Sequence, residues 1–424
     1  MNQYKLKDVA ISQTGPFGSQ LHEEDYVANG IPIVTVEHLG DIGFTTQNLP
    51  MVSEKDACRL KKYCLKKGDI VFSRVGSIDR NVYTKEDQEG WLFSGRCIRV
   101  RCDITKVNPR YLSFYFKLPS FKQMMFNRSV GATMPSLNTD IMDDLPLLLL
   151  NRNEQDKVAK ILGGIDDKIE NNNTIVAQLE ALAKTIYDYW FVQFDFPDEN
   201  GRPYKSSGGK MVWNERLQRE IPDGWRVGCI ADITANVTDG EHGTILNENH
   251  SGYYLLSCKN IIGGRLCYDE SARQVSLKSF EKMRKRTELA EGDVLVSSVG
   301  TIGEACVMTA DCDHVEFQRS VAILKPDYSK ISSEWLYETM LSMKPIMQRN
   351  AHGAIQQCIF ISDIKNLFVV IPPSQIIEIY TDKVQSLLKL KIKKEEENQK
   401  LASLRDFLLP LLMNGQVSFK SDSI

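Results

Sequence analysis

Residue types that could perform catalysis or hold a metal are present in this 424-residue chain, but not at the spacings those functions need. The ten cysteines include no Cys-x-x-Cys pair, and no two of the six histidines stand four residues apart. A zinc site depends on paired spacings of this kind. We therefore expect no metal, and we interpret the cysteines as reduced thiols, since no secretion signal accompanies them.

One glycine-rich segment partly resembles a nucleotide-binding loop. Gly208-Gly209-Lys210-Met211 has the glycines and the lysine of a phosphate loop, but Met211 stands where serine or threonine must follow the lysine. The hydroxyl of that missing residue would be the ligand of the magnesium ion. A turn is therefore the favoured interpretation, and no cofactor is expected.

Polar segments that contain glycine occur twice, and they are better candidates for binding. Residues 68–78 return as residues 292–302 at an offset of 224, and residues 127–133 align with residues 349–355 at an offset of 222. The repeat covers about half of the chain, so only two copies fit. Two diverged copies of one binding surface indicate a protein that contacts two similar but non-identical targets.

Each copy of the repeat is predicted to be an α+β domain followed by a long helix. Short β-like runs broken by Gly, Pro, Asn and Asp predict the domains, and apolar residues at heptad spacing predict the helices. The predicted boundaries are domain 1 at residues 1–151, helix 1 at 152–193, a connector at 194–220, domain 2 at 221–372, helix 2 at 373–414 and a tail at 415–424. The predicted fold class is α+β, with two duplicated domains and two long helices.

Charge and hydropathy limit the possible partners. The net charge of −3 argues on its face against a nucleic-acid-binding protein, and residues 1–150 are only mildly basic. A chain of this composition that binds DNA must gather its basic residues on one face or rely on partner subunits for phosphate contacts. No apolar run approaches the roughly 20 residues of a membrane span, and no signal-peptide core opens the chain, so a cytoplasmic protein is expected.

The chain resembles the specificity subunit of a Type I restriction-modification system over essentially all of its length. The segments that carry the resemblance are residues 14–22 (Thr-Gly-Pro-Phe-Gly-Ser-Gln-Leu-His) followed by Asp25-Tyr26, residues 189–197 (Tyr-Trp-Phe-Val-Gln-Phe-Asp-Phe-Pro), and the connector from residues 205–211 (Lys-Ser-Ser-Gly-Gly-Lys-Met) to residues 221–225 (Ile-Pro-Asp-Gly-Trp). The resemblance implies that each domain is a target-recognition domain for one half of a bipartite DNA sequence. It also implies that the helices pair as an antiparallel coiled coil that sets the gap.

The resemblance places the chemistry on partner subunits. It implies a complex with two methyltransferase subunits, which methylate adenine, and with restriction subunits, which translocate and cleave DNA with ATP. The sequence agrees, since it has no phosphate loop, no Pro-Pro-Tyr/Phe methyltransferase motif and no glycine-rich methyl-donor site. A stand-alone enzyme and a two-headed scaffold for proteins or glycans are the alternative functions.

An antiparallel pairing of the helices predicts which residues meet at their seam. The predicted seam residues are Leu162, Ile169, Asn172, Val176 and Leu179 in helix 1, and Leu390, Lys394, Leu401 and Leu404 in helix 2. Asn172 and Lys394 are equivalent at the 222-residue offset and stand near the centre. We expect the carbonyl oxygen of Asn172 to accept a hydrogen bond from the Lys394 ammonium and so to fix the register.

The resemblance supplies no list of DNA contacts, because recognition domains diverge with their targets, so candidates follow from chemistry. Arginine reads guanine, asparagine and glutamine read adenine, and lysine, arginine, serine and threonine hold phosphates. The candidates are Ser73, Arg74, Arg80, Arg96, Arg128, Thr133, His242, Lys259, Asn260, Ser297, Ser298, Arg319, Gln356 and Gln357.

Several of these candidates could instead have a purely structural role. Residues 73–76 and 297–300 are also interpretable as hairpin turns that serve the fold, and His242 as an ordinary surface histidine. Arg96 and Arg319 are candidates for ion pairs with Asp69 and Asp293, respectively. The aromatic run within residues 187–196 is too apolar for a DNA groove, and packs against either a domain or a methyltransferase subunit.

Overall fold

The computed structural model describes residues 1–16, 20–131, 134–353 and 356–417. The chain divides into two units: unit 1 comprises Met1–Ile175 and the chain from Lys394 onward, and unit 2 comprises Val176–Lys393. Each unit holds one domain and parts of both long helices. The elements of each unit are given separately below.

Unit 1 contains ten strands and five short helices among its described residues, followed by the first long helix. The strands are β1 (Asn2–Lys5), β2 (Ala10–Thr14), β3 (Tyr26–Val27), β4 (Ile31–Val34), β5 (Met51–Val52), β6 (Ile70–Ser73), β7 (Asn81–Tyr83), β8 (Leu92–Phe93), β9 (Cys97–Cys102) and β10 (Pro146–Leu149). The helices are α1 (Leu6–Val9), α2 (Glu54–Arg59), α3 (Pro109–Tyr115), α4 (Pro119–Arg128), α5 (Thr139–Asp143) and the long α6 (Arg152–Tyr187), which runs on into unit 2.

Unit 2 repeats this plan. Its strands are β11 (Met211–Asn214), β12 (Arg219–Pro222), β13 (Arg226–Cys229), β14 (Thr234–Asp239), β15 (Tyr254–Leu256), β16 (Ile261–Ile262), β17 (Arg265–Leu266), β18 (Val294–Ser297), β19 (Ala305–Val307), β20 (Val315–Phe317), β21 (Val321–Pro326) and β22 (Phe368–Ile371). Its helices are α7 (Ile230–Ile233), α8 (Leu277–Thr287), α9 (Ser333–Ser342), α10 (Lys344–Arg349), α11 (Ile361–Lys365) and the long α12 (Ser374–Met413), which ends in unit 1.

The two units share the topology of one four-stranded sheet. A four-stranded antiparallel sheet has the order β2-β9-β6-β7 in unit 1 and β14-β21-β18-β19 in unit 2. Ile70 pairs with Val100, and Val294 pairs with Leu324, so even the strand register repeats at the 224-residue offset. The predicted fold class, two duplicated α+β domains with two long helices, is confirmed.

Local capping explains why a helix follows the last strand, in chain order, of the four-stranded sheet in both units. Asn108 accepts hydrogen bonds from the first backbone amides of α3, and Ser332 does the same for α9. These are preferred N-cap residues, and Pro109 at the first helical position lacks an N–H that the helix would leave unpaired. Asn108 and Ser332 are themselves 224 residues apart.

Each sheet contains one buried carboxylate with a basic partner. The Arg101 guanidinium donates to both oxygens of Asp69 at 2.7 and 2.6 Å, and the Lys325 ammonium lies 2.6 Å from Asp293. Burial raises the pKa of Asp293, while Lys325 opposes that shift. The alternative pairing of Arg96 and Arg319 with these carboxylates is therefore wrong, because Arg101 and Lys325 occupy the partner positions.

The aromatic run at the end of α6 packs into the core of unit 2. Tyr187, Trp190 and Phe191 are buried in the same cluster as Tyr380 of α12. The Phe191 and Tyr380 rings meet edge to face with centroids 5.0 Å apart. Of the two alternatives for this run, packing against a domain is the one observed.

The long helices pair antiparallel within each unit, through a seam that is polar on the α12 side. In unit 1, Arg405 lies 3.1 Å from Asp166, and the Asn172 amide donates to Asn398 at 2.9 Å. In unit 2, Lys391 lies 2.6 Å from Glu180. Lys391, Asn398 and Arg405 stand at three successive heptad positions, so each heptad of this stretch places one polar residue against a polar partner.

Most of the predicted seam residues of α6 are buried, but two leucines of α12 are not. Leu162, Ile169, Asn172 and Val176 are buried and Leu179 is half-buried. On α12, Lys394 and Leu401 are half-buried, whereas Leu404 is 46% exposed and Leu390 is 42% exposed. The assignment of Leu404 and Leu390 to the seam is wrong, because the polar residues one position further along the helix occupy it.

The predicted contact between Asn172 and Lys394 is also wrong in its details. The Asn172 amide nitrogen donates to Asn398 and to the Glu397 carboxylate at 3.1 Å, and Lys394 donates to the same carboxylate at 2.9 Å. The carbonyl oxygen of Asn172 has no donor among the described residues. Asn172 thus meets residues three and four positions beyond its repeat equivalent, and Glu397 links it to Lys394.

Removing Arg405 should destabilise unit 1. Among the described residues, Arg405→Ala leaves the Asp166 carboxylate, whose side chain is 7% exposed, with only the Lys117 ammonium as an ion-pair partner, at 4.0 Å. We expect the free energy of unfolding to fall by roughly 2–3 kcal/mol, as for other broken buried ion pairs. The matched control is Asp406→Ala, since this 64% exposed carboxylate also contacts Arg405 and should change stability by less than about 0.5 kcal/mol. Denaturant unfolding with equal losses in both variants would contradict the buried-pair argument.

A buried carboxyl in unit 2 should make stability depend on pH. Burial of Glu338 on α9, which is 8% exposed, raises its pKa to about 7 from a usual 4.5. The folded state therefore holds a proton that the unfolded state releases, and stability falls as pH rises from about 4.5 through about 7. Glu338→Gln should unfold at a higher temperature than the native chain at pH 8 and at a similar temperature at pH 4. Glu281→Gln, which removes an exposed carboxylate from α8, is the control.

Candidate nucleic-acid interface

Four chain segments meet at one end of the four-stranded sheet of unit 1. Gly15 follows β2 and donates its backbone N–H to Cys97, the first residue of β9, at 3.2 Å. Arg74 follows β6 and donates its backbone N–H to Arg96 at 2.8 Å. The fourth segment is a hairpin loop closed by Val130 and Ser136, which exchange backbone hydrogen bonds of 3.0 and 2.8 Å. We call this end of the sheet the loop edge of unit 1.

The hairpin loop is fixed to the strand-end loop by its backbone. Gly76 donates to Pro135 and Leu137 donates to Arg74, both at 2.9 Å. The two segments that the sequence identified as candidates, residues 73–76 and 127–133, are therefore neighbours. Thr133 itself lies outside the described residues.

Unit 2 has an equivalent loop edge. Gly300 donates to Gln357 at 3.2 Å, and Ile359 donates to Ser298 at 2.9 Å. The hairpin loop here is closed by His352 and Cys358, with backbone hydrogen bonds of 2.7 and 2.8 Å. The segment after β14 joins the same edge, because Arg319 donates its backbone N–H to Glu241 at 3.0 Å.

Glycine is required at one position of each hairpin loop. Gly131 and Gly353 have φ values of 104° and 98°, which side chains rarely adopt. A Cβ added there would lie 2.5 Å from the carbonyl oxygen of Met134 or 2.6 Å from that of Gln356. The loop shape therefore depends on these glycines in both units.

The predicted arginines of unit 1 lie at or next to the loop edge. Three of them are exposed, whereas Arg74 is half-buried. Arg80, Arg96 and Arg128 are exposed. Within the part of the chain that the structure describes, the Arg80 and Arg96 guanidinium groups have no ion-pair partner. Arg74 is half-buried, and its guanidinium donates to the carbonyls of Leu137 at 3.2 Å and Gly95 at 3.4 Å. Arg74 thus helps to hold the loops together.

The three predicted serines build the loops, which corrects their assignment to DNA contact. Ser73 and Ser297 are fully buried, and their hydroxyls donate to the carbonyls of Val75 and Val299 at 3.1 and 3.2 Å. The buried hydroxyl of Ser298 donates to the Arg319 carbonyl at 3.3 Å. Each hydroxyl closes a turn at a strand end, so the hairpin-turn alternative describes them better.

The predicted residues of unit 2 divide in the same way. Arg319, Gln356 and Gln357 are exposed on the loop edge, and Lys259 is exposed beside it. Asn260 is a turn residue, because its amide nitrogen donates to Cys267 and its oxygen accepts from Ser257, both at 3.0 Å. The exposed ring of His242 lies 2.6 Å from Asp239.

A basic helix surface of unit 2 was missed by sequence reasoning. Lys278, Lys282, Lys285 and Arg286 are exposed on α8. Arg286 lies 3.7 Å from Asp239, the same carboxylate that His242 contacts, so this surface adjoins the loop edge. The signal was the run Lys-Met-Arg-Lys-Arg at residues 282–286, which the net charge of the whole chain obscured.

The described residues form neither a metal site nor a membrane-spanning helix. No group of three or more His, Cys, Asp or Glu side chains there is placed to hold a metal ion. No helix in that part of the chain is both long and apolar enough to cross a membrane.

Comparison with known proteins shows which family the chain resembles. Residues 1–181 match the model of the Type I restriction modification DNA specificity domain. The specificity subunit of the Type I restriction enzyme MjaIX from Methanocaldococcus jannaschii is 26% identical over 312 residues, which are 72% of this chain and 68% of that protein. The specificity subunit of the HindI enzyme from Haemophilus influenzae is 23% identical over 450 residues, which cover 92% and 95% of the two chains. The chain is therefore similar to Type I restriction-modification specificity subunits over most of its length, and residues 1–181 match the DNA specificity domain of that family.

The fold agrees with this assignment. The crystal structure of the Type I S subunit from M. genitalium superposes with a TM-score of 0.58 at 14% identity, covering 97% of this chain and 96% of that one. The matched family model ends within α6. The specificity subunit nevertheless repeats its first sheet topology in unit 2, so both units present the same kind of domain.

Two arginine variants separate loop building from DNA contact in the specificity subunit. Arg74→Ala should lower the free energy of unfolding by about 1–2 kcal/mol, because two loop carbonyls lose a charged donor. Arg96→Ala should leave unfolding within about 0.5 kcal/mol and weaken binding to the target duplex by roughly 1–3 kcal/mol. Denaturant unfolding and fluorescence anisotropy with a labelled duplex measure the two effects. Arg96→Ala with unaltered affinity would remove Arg96 from the interface.

Proposed function

We propose that this specificity subunit reads a bipartite DNA sequence, with the loop edge of each unit reading one half. The observation that carries this proposal is the pair of loop edges. They share one backbone frame, held by the same hydrogen bonds, yet present different exposed side chains. A duplicated frame with diverged side chains is what two similar but non-identical targets require.

The exposed basic side chains support DNA as the ligand rather than protein or glycan. Arg80 and Arg96 are exposed at the loop edge of unit 1, and Arg128 is exposed at the end of α4 that leads into the hairpin loop, where its guanidinium lies 3.5 Å from the Asp144 carbonyl, although the whole chain has a net charge of −3. In unit 2, Arg319 and the basic face of α8 have the corresponding role. Gathering positive charge on one face is how a mildly acidic chain forms phosphate contacts.

The same loops carry side chains that read bases. Gln356 and Gln357 are exposed in the hairpin loop of unit 2, and a glutamine amide forms two hydrogen bonds with the major-groove edge of adenine. Arginine pairs in the same way with guanine. The buried serines and Asn260 shape the loops, while the exposed arginines and glutamines contact the duplex.

The long helices set the gap between the two half-sites. Helix α12 has 40 residues, which gives a length of roughly 60 Å at 1.5 Å per residue. Polar pairs such as Arg405 with Asp166 and Lys391 with Glu180 oppose slippage, because a shifted register would bury a charge without its partner. A fixed register keeps the gap constant.

The subunit performs no chemistry itself and acts as a scaffold for methyltransferase and restriction subunits. It needs no cofactor in this role. By binding its target sequence through two loop edges, the subunit directs the adenine methylation and the ATP-dependent cleavage carried out by its partners to that target. Methyl-donor binding by the isolated chain would instead favour the stand-alone enzyme.

Exchange of one domain tests the independent reading of the two half-sites. Replacing residues 10–143 with the corresponding segment of a related subunit leaves β1, β10 and both long helices in place. The chimera, expressed with its methyltransferase subunits, should change one half of the methylated sequence and keep the other half and the gap. The reciprocal control, replacement of residues 234–365, should change only the opposite half. Methylation mapping of the host genome measures both, and a chimera that alters both halves would refute separate reading.

A further inference from the structure

The two hairpin loops are closed by equivalent backbone hydrogen bonds, but their exposed side chains differ in chemistry. At the 222-residue offset, Phe126, Val130 and Met134 of unit 1 correspond to Gln348, His352 and Gln356 of unit 2. All six are exposed. Three apolar side chains around one loop therefore occupy the places that three polar side chains take around the other.

The apolar side chains of unit 1 are not needed for the core. Val130 is 62% exposed and Met134 is 61% exposed, and neither belongs to a hydrophobic cluster of the described residues. The loop is held by backbone bonds and by Gly131, so these side chains are free to vary without loss of the fold. Adjacent exposed apolar side chains on a binding edge indicate an apolar contact in the ligand.

We propose that Met134 and Val130 contact the C5-methyl group of a thymine in the major groove of the half-site read by unit 1. The inference rests on the proposed function. Thymine is the base that presents an apolar group in the major groove, whereas the Gln356 amide at the equivalent place suits the polar edge of adenine. The hairpin loop is thus a specificity-determining element in both units, and its side chains select different bases.

The surroundings of the loop favour DNA over a protein partner as the occupant. Exposed Arg80, Arg96 and Arg128 lie on the same edge as Val130 and Met134, and they complement phosphates on either side of a groove. An apolar side chain on an edge that also carries exposed arginines fits a thymine methyl group flanked by phosphates.

Uracil substitution tests the proposal without any variant. The probes are duplexes with the target sequence found by methylation mapping, in which each thymine of the unit 1 half-site is replaced in turn by deoxyuridine. Binding is measured with the full chain assembled with its methyltransferase subunits. One replacement should weaken binding about fourfold, which is the effect of losing one buried methyl group. Replacement of the thymine nearest to Gln356 in the other half-site should leave the affinity unchanged, because the side chain at that place is polar.

Variants then assign the methyl contact. In Met134→Ala, the affinity ratio between the thymine and uracil duplexes should fall towards one. Ile104→Ala is the matched control, because Ile104 is 67% exposed but follows the opposite end of β9, and it should keep the fourfold ratio.

Each contrary outcome overturns a different statement. Specific binding with equal affinity for thymine and uracil at every position refutes the methyl contact and leaves the proposed function intact. Weakened assembly of Met134→Ala with the methyltransferase subunits, at an unaltered thymine-to-uracil ratio, makes the apolar loop a protein contact and also refutes the proposal. Absence of sequence-specific binding with any probe refutes the proposed function itself.

Discussion

The candidate interface depends on the backbone hydrogen bonds that join the strand-end loop to the hairpin loop in each unit. Gly76 bonds to Pro135 in unit 1, and Gly300 bonds to Gln357 in unit 2. Because backbone atoms hold the frame, exposed side chains on it can change without a cost in folding. The same frame therefore carries Met134 in one unit and Gln356 in the other, so the exposed side chains of the two loops differ while their closing hydrogen bonds are equivalent.

The seam between the long helices imposes a second constraint. Its polar residues stabilise the pairing less than apolar residues would, but they favour one register. A purely apolar seam permits neighbouring registers of similar energy, whereas a polar seam penalises them. Lys391, Asn398 and Arg405 occupy successive heptad positions and each has a polar partner on α6. This arrangement supports the proposed role of the helices in setting the gap between the half-sites.

Sequence reasoning predicted the fold class and the correspondence of the loops, because a repeat aligns equivalent positions whatever they contact. It could not separate exposed Arg80 from buried Ser73, since both are polar residues in the same loop and only packing distinguishes them. The leucine pattern placed Leu404 in the seam because Arg405, one position further along the helix, was not expected to be a seam residue. Met134 was overlooked for a related reason, because an apolar residue in a sequence is ordinarily interpreted as core.

The central claim, that the loop edges contact DNA, is tested most directly by hydroxyl-radical footprinting of the full chain with its methyltransferase subunits. Ile104 and Tyr328 lie in equivalent turns at the opposite ends of the two sheets and are exposed, so they serve as internal references. Target duplex should lower the oxidation of Met134 in unit 1 and of His352 in unit 2, and leave both references unchanged. Protection of Ile104 and Tyr328, with Met134 and His352 still reactive, would place the DNA on the other end of each sheet and contradict this account.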